Sequence, residues 1–234
     1  MHGSRAIERS GRRVIAYDAR GHGASGPAAS PEQYTYRELV ADAVAVLDAA
    51  GAERAALVGQ SMGAATAVGL ALVHPERVSA LVVITPAHLG APSADLGKWD
   101  ALADALERGG PDGFLEAMGP LSVPERWAGT VRTVIRQRLE RHAHPAAVAD
   151  ALRGVPRSAA FDGLDALAGV RAPTLVVASR DEVDPDHPIA VAREYAARIP
   201  DVRMTVEDQG ESPLAWRGGR LSEAIVELLE EVGA

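Results

Sequence analysis

The pentapeptide G-Q-S-M-G at residues 59–63 is the feature that most restricts how this chain can fold. It follows the apolar run AALVG at 55–59, typical of a buried strand, and opens a run of small apolar residues at 62–73, typical of a helix buried against a sheet. A chain that turns directly from strand into helix strains the residue at the turn, so we expect both glycines to be required for closure. The pattern predicts a strand, a tight turn and a helix, with the Ser61 hydroxyl projecting between them near the positive end of the helix dipole.

The rest of the chain alternates between strand and helix patterns. Continuous apolar strands separated by helices predict an α/β fold, a mostly parallel sheet with helices on both faces. Further strands are predicted at residues 13–17 (RVIAY), 78–84, 174–178 and 202–207, and further helices at 36–50, 189–199 and 221–232.

One long stretch interrupts this alternation. Residues 88–167 contain four helical patterns, near 95–108, 112–118, 124–142 and 145–153, and no strand pattern. An all-helical insert between two strands is typical of a cap over the carboxyl edge of the sheet, where such sheets bind ligands. The sequence therefore predicts a core of residues 1–87 and 168–234 and a helical cap of residues 88–167.

Composition and charge exclude several classes of partner. The 234 residues suit one domain with an insert, and a net charge of −8 argues against nucleic acid or an anionic membrane as a partner. The arginines at 132, 136, 138 and 141 have helical spacing and are typical of a solvated helix face. The chain has no cysteine and no apolar run of membrane-spanning length, and no secretion signal is visible, so we expect a cytoplasmic protein.

Several motifs together resemble the α/β-hydrolase superfamily, in its compact single-cap branch of esterases and lactonases. Besides G-Q-S-M-G, they are DARGHGAS at 18–25, HPERV at 74–78 and RAPTLVV at 171–177. The resemblance implies that Ser61 is a nucleophile for an ester, thioester or lactone carbonyl, and that the Met62 N–H stabilises the oxyanion. It implies no metal or organic cofactor, and it makes His22 a structural residue.

The resemblance also implies an acid. ASRDEVDP at 178–185 is similar to the family's G-x-x-D-x-x-x-P segment, with alanine in place of glycine, which makes Asp181 the residue that orients a catalytic histidine. Glu182 and Asp184 are close enough in sequence to take its place. The alternative is an acidic turn that caps the following helix.

The catalytic base departs from the family pattern. Glu211 occupies the position of the usual histidine, and no histidine follows His187. Glu211 could act as a base only if desolvation raised its pKa. If it faced Asp181, however, the two carboxylates would share one proton, and Glu211 would be a weak base. His187, in the rigid turn D-P-D-H-P, is the best substitute, although a place at a helix N-terminus would direct it away from Ser61. The remaining alternatives are His88, His142 and His144.

The N-terminal region is also shorter than the family pattern. The family has three strands and an oxyanion loop, often beginning His-Gly, ahead of the strand that RVIAY represents. His2-Gly3 lies only 11 residues before Val14, roughly half the usual spacing, so we expect residues 3–10 to belong to the first helix and the earlier strands to be absent from this chain. That would remove one oxyanion donor, worth about 10²–10³ in turnover, and expose a sheet edge.

Two functions remain open on the sequence. The first is a serine hydrolase that forms an acyl-enzyme on a small-molecule substrate, and an acyltransferase would use the same residues. The second is a catalytically impaired relative that keeps the fold for ligand binding or regulation, and Glu211 in the histidine position is its main support.

Overall fold

The computed structural model describes residues 4–182 and 184–233. Its centre is a sheet of four parallel strands in the order β1-β2-β3-β4, each pairing with the next along the chain. The strands are β1 Ala55–Gln60, β2 Val78–Ile84, β3 Thr174–Ala178 and β4 Val202–Val206. Four of the five predicted strands are therefore confirmed, in a parallel arrangement.

The strands alternate with helices along the chain. Because parallel neighbours need crossover connections, a helix lies between β1 and β2 and another between β3 and β4. The helices are α1 Ser4–Arg9, α2 Tyr36–Ala49, α3 Met62–Val73, α4 Leu96–Ala117, α5 Glu125–Leu139, α6 Pro145–Gly154, α7 Ile189–Arg198 and α8 Gly218–Glu231. Met1, His2 and Gly3 lie outside the described residues, so the expectation for the start of the first helix is tested only from Ser4 onward.

The two faces of the sheet are covered by different helices. Ala80, Val82 and Ile84 of β2 pack with α1 and α8 in one apolar cluster that also includes Leu175 and Val177. Side chains alternate along a strand, so the intervening residues of β2 point to the opposite face, where α3 packs on β1 and β2 and α7 packs on β3 and β4. The prediction of helices on both faces is confirmed.

The predicted strand at residues 13–17 is wrong. The segment forms no strand in the structure, and among the described residues β1 is an edge of the sheet. A strand needs a neighbour that accepts its ladder of hydrogen bonds, and apolar character alone does not supply one. Val14 instead packs, partly buried, against the α1–α8 cluster, which accounts for the apolar side chain without a strand.

The helical insert contains a kinked helix where the sequence predicted two separate helices. The predicted helices at 95–108 and 112–118 are joined into α4, whose backbone is non-helical at Gly110 (φ 58°, ψ −149°) and is followed by Pro111. Glycine adopts this conformation easily, and proline lacks the N–H that a continuous helix would use. Both helices exist, but no loop separates them.

The chain divides into two compact units. One consists of the residues up to Ala16, Ala43–Gly90 and those from Ala160 onward, and it contains the sheet. The other consists of Tyr17–Asp42 and Ala91–Ala159, where Ala103 and Leu106 of α4 pack against α6. The core and cap boundaries predicted from sequence remain a prediction.

Candidate active site

Ser61 lies at a strained turn between β1 and α3. Its backbone (φ 51°, ψ −112°) occupies a conformational region that residues other than glycine rarely adopt. The Ser61 N–H donates to the carbonyl of Ile84 at the end of β2 (3.0 Å), and the Ser61 carbonyl accepts from Ala65 N–H (3.1 Å). The strain is therefore held by the neighbouring strand and by the first turn of α3.

The two glycines of the pentapeptide have different roles. A Cβ on Gly59 would lie 2.1 Å from the carbonyl oxygen of Gly63, so a side chain is excluded there. A Cβ on Gly63 would meet nothing within 4 Å. The expectation that both glycines are required is correct for Gly59 and wrong for Gly63, because Gly63 already belongs to the helix.

A histidine is hydrogen-bonded to Ser61 on one side and to a carboxylate on the other. His187 Nε2 lies 2.9 Å from Ser61 Oγ, and His187 Nδ1 lies 2.8 Å from Asp184 Oδ1. An ionised carboxylate can only accept, which assigns the imidazole hydrogen to Nδ1 and leaves Nε2 to accept from the Ser61 hydroxyl. The side chains of His187 and Asp184 are 20% and 15% exposed, so water competes little for their hydrogen bond. This is the geometry required of a nucleophile, its base and the group that orients the base.

Both residues lie in the loop between β3 and α7, residues 179–188, hereafter the β3–α7 loop. Asp181, predicted as the acid, is exposed, and its Oδ1 accepts from the N–H of Ile189, the first residue of α7 (2.7 Å). The structure thus brings Asp184, rather than Asp181, to the imidazole. Asp181 has the helix-capping contact that the sequence offered as the alternative. Val183 lies outside the described residues.

Glu211 lies in the loop between β4 and α8, residues 207–217, hereafter the β4–α8 loop. It is exposed and forms an ion pair with Arg217 of the same loop. Its N–H donates to the Asp208 carbonyl (3.1 Å), a contact typical of a local turn. The structure does not bring Glu211 to Ser61.

Two of the three other candidate histidines accept hydrogen bonds from backbone N–H groups away from Ser61. His88 Nε2 accepts from the Ala160 N–H (3.0 Å), and burial lowers the pKa of His88 to about 4. His142 Nδ1 accepts from the Gly23 N–H (2.8 Å), and burial lowers its pKa as well. His144 is exposed immediately before α6. Of the histidines that the structure describes, His187 is the one hydrogen-bonded to Ser61.

Met62, the predicted oxyanion donor, is the first residue of α3. The first N–H groups of a helix have no hydrogen-bond acceptor within the helix, and they carry the positive end of the helix dipole. The N–H of Met62, directly after Ser61, is therefore chemically suited to stabilise a negative charge that develops next to the serine.

Sequence reasoning did not select Asp184 or notice Thr85. The D-x-x-H spacing of Asp184 and His187 was a usable signal, because residues three apart in a tight turn can face each other. Thr85 follows β2 with φ 42°, an unusual value for a β-branched residue, and its N–H donates to the Val177 carbonyl (2.7 Å). Its strain, next to the residue that anchors Ser61, had no sequence signature.

Comparison with known proteins identifies the family. A family model described as alpha/beta hydrolase fold matches residues 3–216. The chain belongs to the α/β-hydrolase family. The match covers both the elbow at Ser61 and the β3–α7 loop of this α/β hydrolase, and it confirms the resemblance drawn from the sequence motifs.

Individual relatives of this α/β hydrolase are hydrolases. A protein named as a carbamate hydrolase, RutD, from Azorhizobium caulinodans is 33% identical over 201 residues, which are 84% of this chain and 73% of the relative. Epoxide hydrolase B of Mycobacterium tuberculosis is 37% identical over 120 residues, 49% of this chain and 31% of that protein. The crystal structure of the enol-lactonase from Burkholderia xenovorans LB400 superposes with a TM-score of 0.74 and 25% identity, covering 92% of this chain and 79% of the lactonase.

Within residues 4–182 and 184–233, no group of three or more histidine, aspartate or glutamate side chains is arranged to hold a metal ion. Over the same residues, no helix has both the length and the apolar character needed to cross a membrane.

Proposed function

We propose that this protein is a serine hydrolase that cleaves a small-molecule ester, thioester or lactone through an acyl-enzyme on Ser61. One observation carries the proposal: His187 Nε2 lies 2.9 Å from Ser61 Oγ, with Asp184 Oδ1 2.8 Å from Nδ1. A serine hydroxyl is a poor nucleophile until a base takes its proton, and this arrangement provides that base in the absence of a histidine at position 211.

In the first half of the reaction, Ser61 Oγ attacks the carbonyl carbon while His187 Nε2 takes the hydroxyl proton. The resulting imidazolium is stabilised by Asp184, and the negative charge on the former carbonyl oxygen by the N–H of Met62. Collapse of the tetrahedral intermediate breaks the bond to the leaving alcohol or thiol, which receives the proton from His187. The products of this half are the acyl-enzyme and the alcohol or thiol, which in the case of a lactone stays attached to the acyl group.

In the second half, water attacks the acyl-enzyme with His187 again taking a proton. The carboxylic acid leaves when the proton returns from His187 to Ser61 Oγ. An alcohol or amine in place of water would make the same chemistry an acyl transfer, so products formed with added acceptor alcohol distinguish the two.

The carbonyl substrate class is supported by the relatives as well as by the serine. An enol-lactone and a carbamate both contain a carbonyl carbon open to attack by a hydroxyl.

The helical insert, residues 88–167, is proposed as the cap of a core formed by residues 1–87 and 168–234. Its support is the run of helices α4 to α6 between β2 and β3, with no strand among the described residues there.

The test is labelling with a fluorophosphonate, in which the oxygen of an activated serine bonds to phosphorus and displaces fluoride. We expect one adduct per chain by intact mass, absent in Ser61→Ala and retained in Ser122→Ala, a matched control at an exposed serine of the insert. Turnover of short p-nitrophenyl esters is expected to follow the same pattern. A folded wild-type chain with no adduct and no turnover would overturn the proposal and favour the rival, a ligand-binding relative whose support is Glu211.

A further inference from the structure

The β3–α7 loop is held by a buried carboxylate that the proposed mechanism does not use. Glu207, the residue after β4, is 4% exposed. Its Oε1 accepts from the backbone N–H of Arg180 (2.7 Å), and its carbonyl oxygen accepts from Arg180 Nε (3.0 Å). Two contacts thus fix the first part of the loop to the end of the neighbouring strand.

From Arg180 a continuous series of hydrogen bonds leads to the nucleophile. The Arg180 carbonyl accepts from Asp184 N–H (3.1 Å), and the Asp184 carbonyl accepts from His187 N–H (3.1 Å). The side chains of Asp184 and His187 then continue to Ser61 Oγ at 2.8 and 2.9 Å. A displacement of Arg180 would therefore be transmitted to the imidazole.

The carboxylate is unusual in a way that points to a local role. Its second oxygen, Oε2, is buried, and no hydrogen-bond partner for it occurs among the residues that the structure describes. Burying an incompletely paired polar group costs free energy, and most buried polar groups are fully paired. An apolar side chain at the end of β4 would avoid that cost, but it would leave the Arg180 N–H without an acceptor.

We propose that Glu207 is a positioning residue, which fixes Arg180 and thereby aligns Asp184 and His187 on Ser61. Its effect on catalysis rests on the proposed function, whereas its effect on the Asp184–His187 contact does not. Asp181 closes the same loop at its other end through Ile189 N–H, so the two carboxylates hold the loop at both ends.

Substitutions of matched size separate positioning from charge and packing. Glu207→Gln keeps an oxygen acceptor for Arg180 N–H, and we expect kcat within about threefold of wild type. Glu207→Met keeps the length and removes the acceptor. We expect kcat to fall by about 10–100-fold with KM within about threefold, because a displacement of about 1 Å can cost up to 10²-fold in rate.

A second readout does not depend on turnover. The hydrogen on His187 Nδ1, shared with Asp184, is expected to give a downfield proton resonance in protein labelled at histidine nitrogens, assigned by its loss in His187→Gln. The resonance should persist in Glu207→Gln and be lost or shifted in Glu207→Met. Should wild type fail to react with fluorophosphonate, the proposed function fails, and this resonance still tests the positioning.

Arg180→Ala provides a variant that keeps Glu207 intact. It removes the Nε contact and keeps the backbone one, and we expect a fall in kcat of about threefold to tenfold with KM unchanged. It serves in place of Glu207→Met if that variant does not fold. Unchanged kcat and an unchanged His187 resonance in a folded Glu207→Met protein would overturn the proposal. A Glu207→Gln variant as impaired as Glu207→Met would also overturn it.

Discussion

The β3–α7 loop and the β4–α8 loop leave the same edge of the sheet from neighbouring strands, and they contain very different chemistry. The first brings His187 to Ser61 Oγ at 2.9 Å, with Asp184 behind it. The second contains Glu211, which the sequence motifs predict to occupy the position of the family's histidine, and Glu211 is paired with Arg217. Because the carboxyl ends of parallel strands lie along one edge of the sheet, either loop begins on the same side of the sheet as the turn at Ser61 and is a candidate to supply a base.

The two loops also differ in how they are fixed. The contact between Glu207 and Arg180 ties the two loops to each other across 27 residues of sequence, and Asp181 closes the β3–α7 loop across 8, whereas the turn at Glu211 is closed by a contact with Asp208 three residues away. A base must be held within hydrogen-bond reach of the proton that it takes, which favours the segment around His187 over the turn at Glu211. The β4–α8 loop contributes through its first residue, Glu207, rather than through Glu211.

The largest expected effect comes from exchanging the base candidate in each loop. His187→Gln is expected to lower kcat by about 10⁴–10⁶-fold, as removal of a catalytic histidine does, while Glu211→Gln stays within about threefold of wild type. Ester turnover and fluorophosphonate labelling rates measure both. A large loss in Glu211→Gln would reverse the comparison and make the β4–α8 loop the catalytic one.

The next effect separates the two aspartates of the β3–α7 loop. Asp184→Asn is expected to lower kcat by about 10⁴-fold, because an amide at this position no longer orients the imidazole and stabilises the imidazolium. Asp181→Asn keeps an acceptor for the Ile189 N–H and is expected to lower kcat by less than about tenfold. Steady-state kinetics on the two folded variants checks this, and equal losses would show that Asp181 is part of the reacting group.

Much of the fold was predictable because local pattern was enough for it. β1, β2 and β3 are continuous apolar segments, typical of strands in a parallel sheet covered on both faces, and the small apolar residues of α3 are typical of a helix packed on such a sheet. The RVIAY segment has the same apolar character and forms no strand, since a strand also requires a neighbour with free hydrogen-bonding groups. Whether a segment forms a strand therefore depends on a second segment beside it, and its own sequence does not show whether that second segment is present.

The site was predictable to different depths for the same reason. Ser61 follows from spacing alone, because the strained turn is local. The direction of His187 depends also on the contact between Glu207 and Arg180, 27 residues apart, which no local pattern encodes. The family pattern favoured Asp181 as the acid, and the tight D-x-x-H turn that selects Asp184 acquires its meaning only once the loop is closed.

The smallest expected effect is a failed rescue, and it is the sharpest test of the difference between the loops. In a His187→Gln background, Glu211→His places a histidine where the sequence motifs predict that of the family, and we expect less than about tenfold recovery of kcat. Position 211 is exposed and the turn that contains it is closed by a contact with Asp208 three residues away, so we expect an imidazole there to lack the fixed geometry that His187 has. Kinetics of the double variant beside His187→Gln alone measures the recovery. Recovery of about 10³-fold or more would mean that the β4–α8 loop reaches Ser61 Oγ readily, and that the position of the base is interchangeable between the two loops.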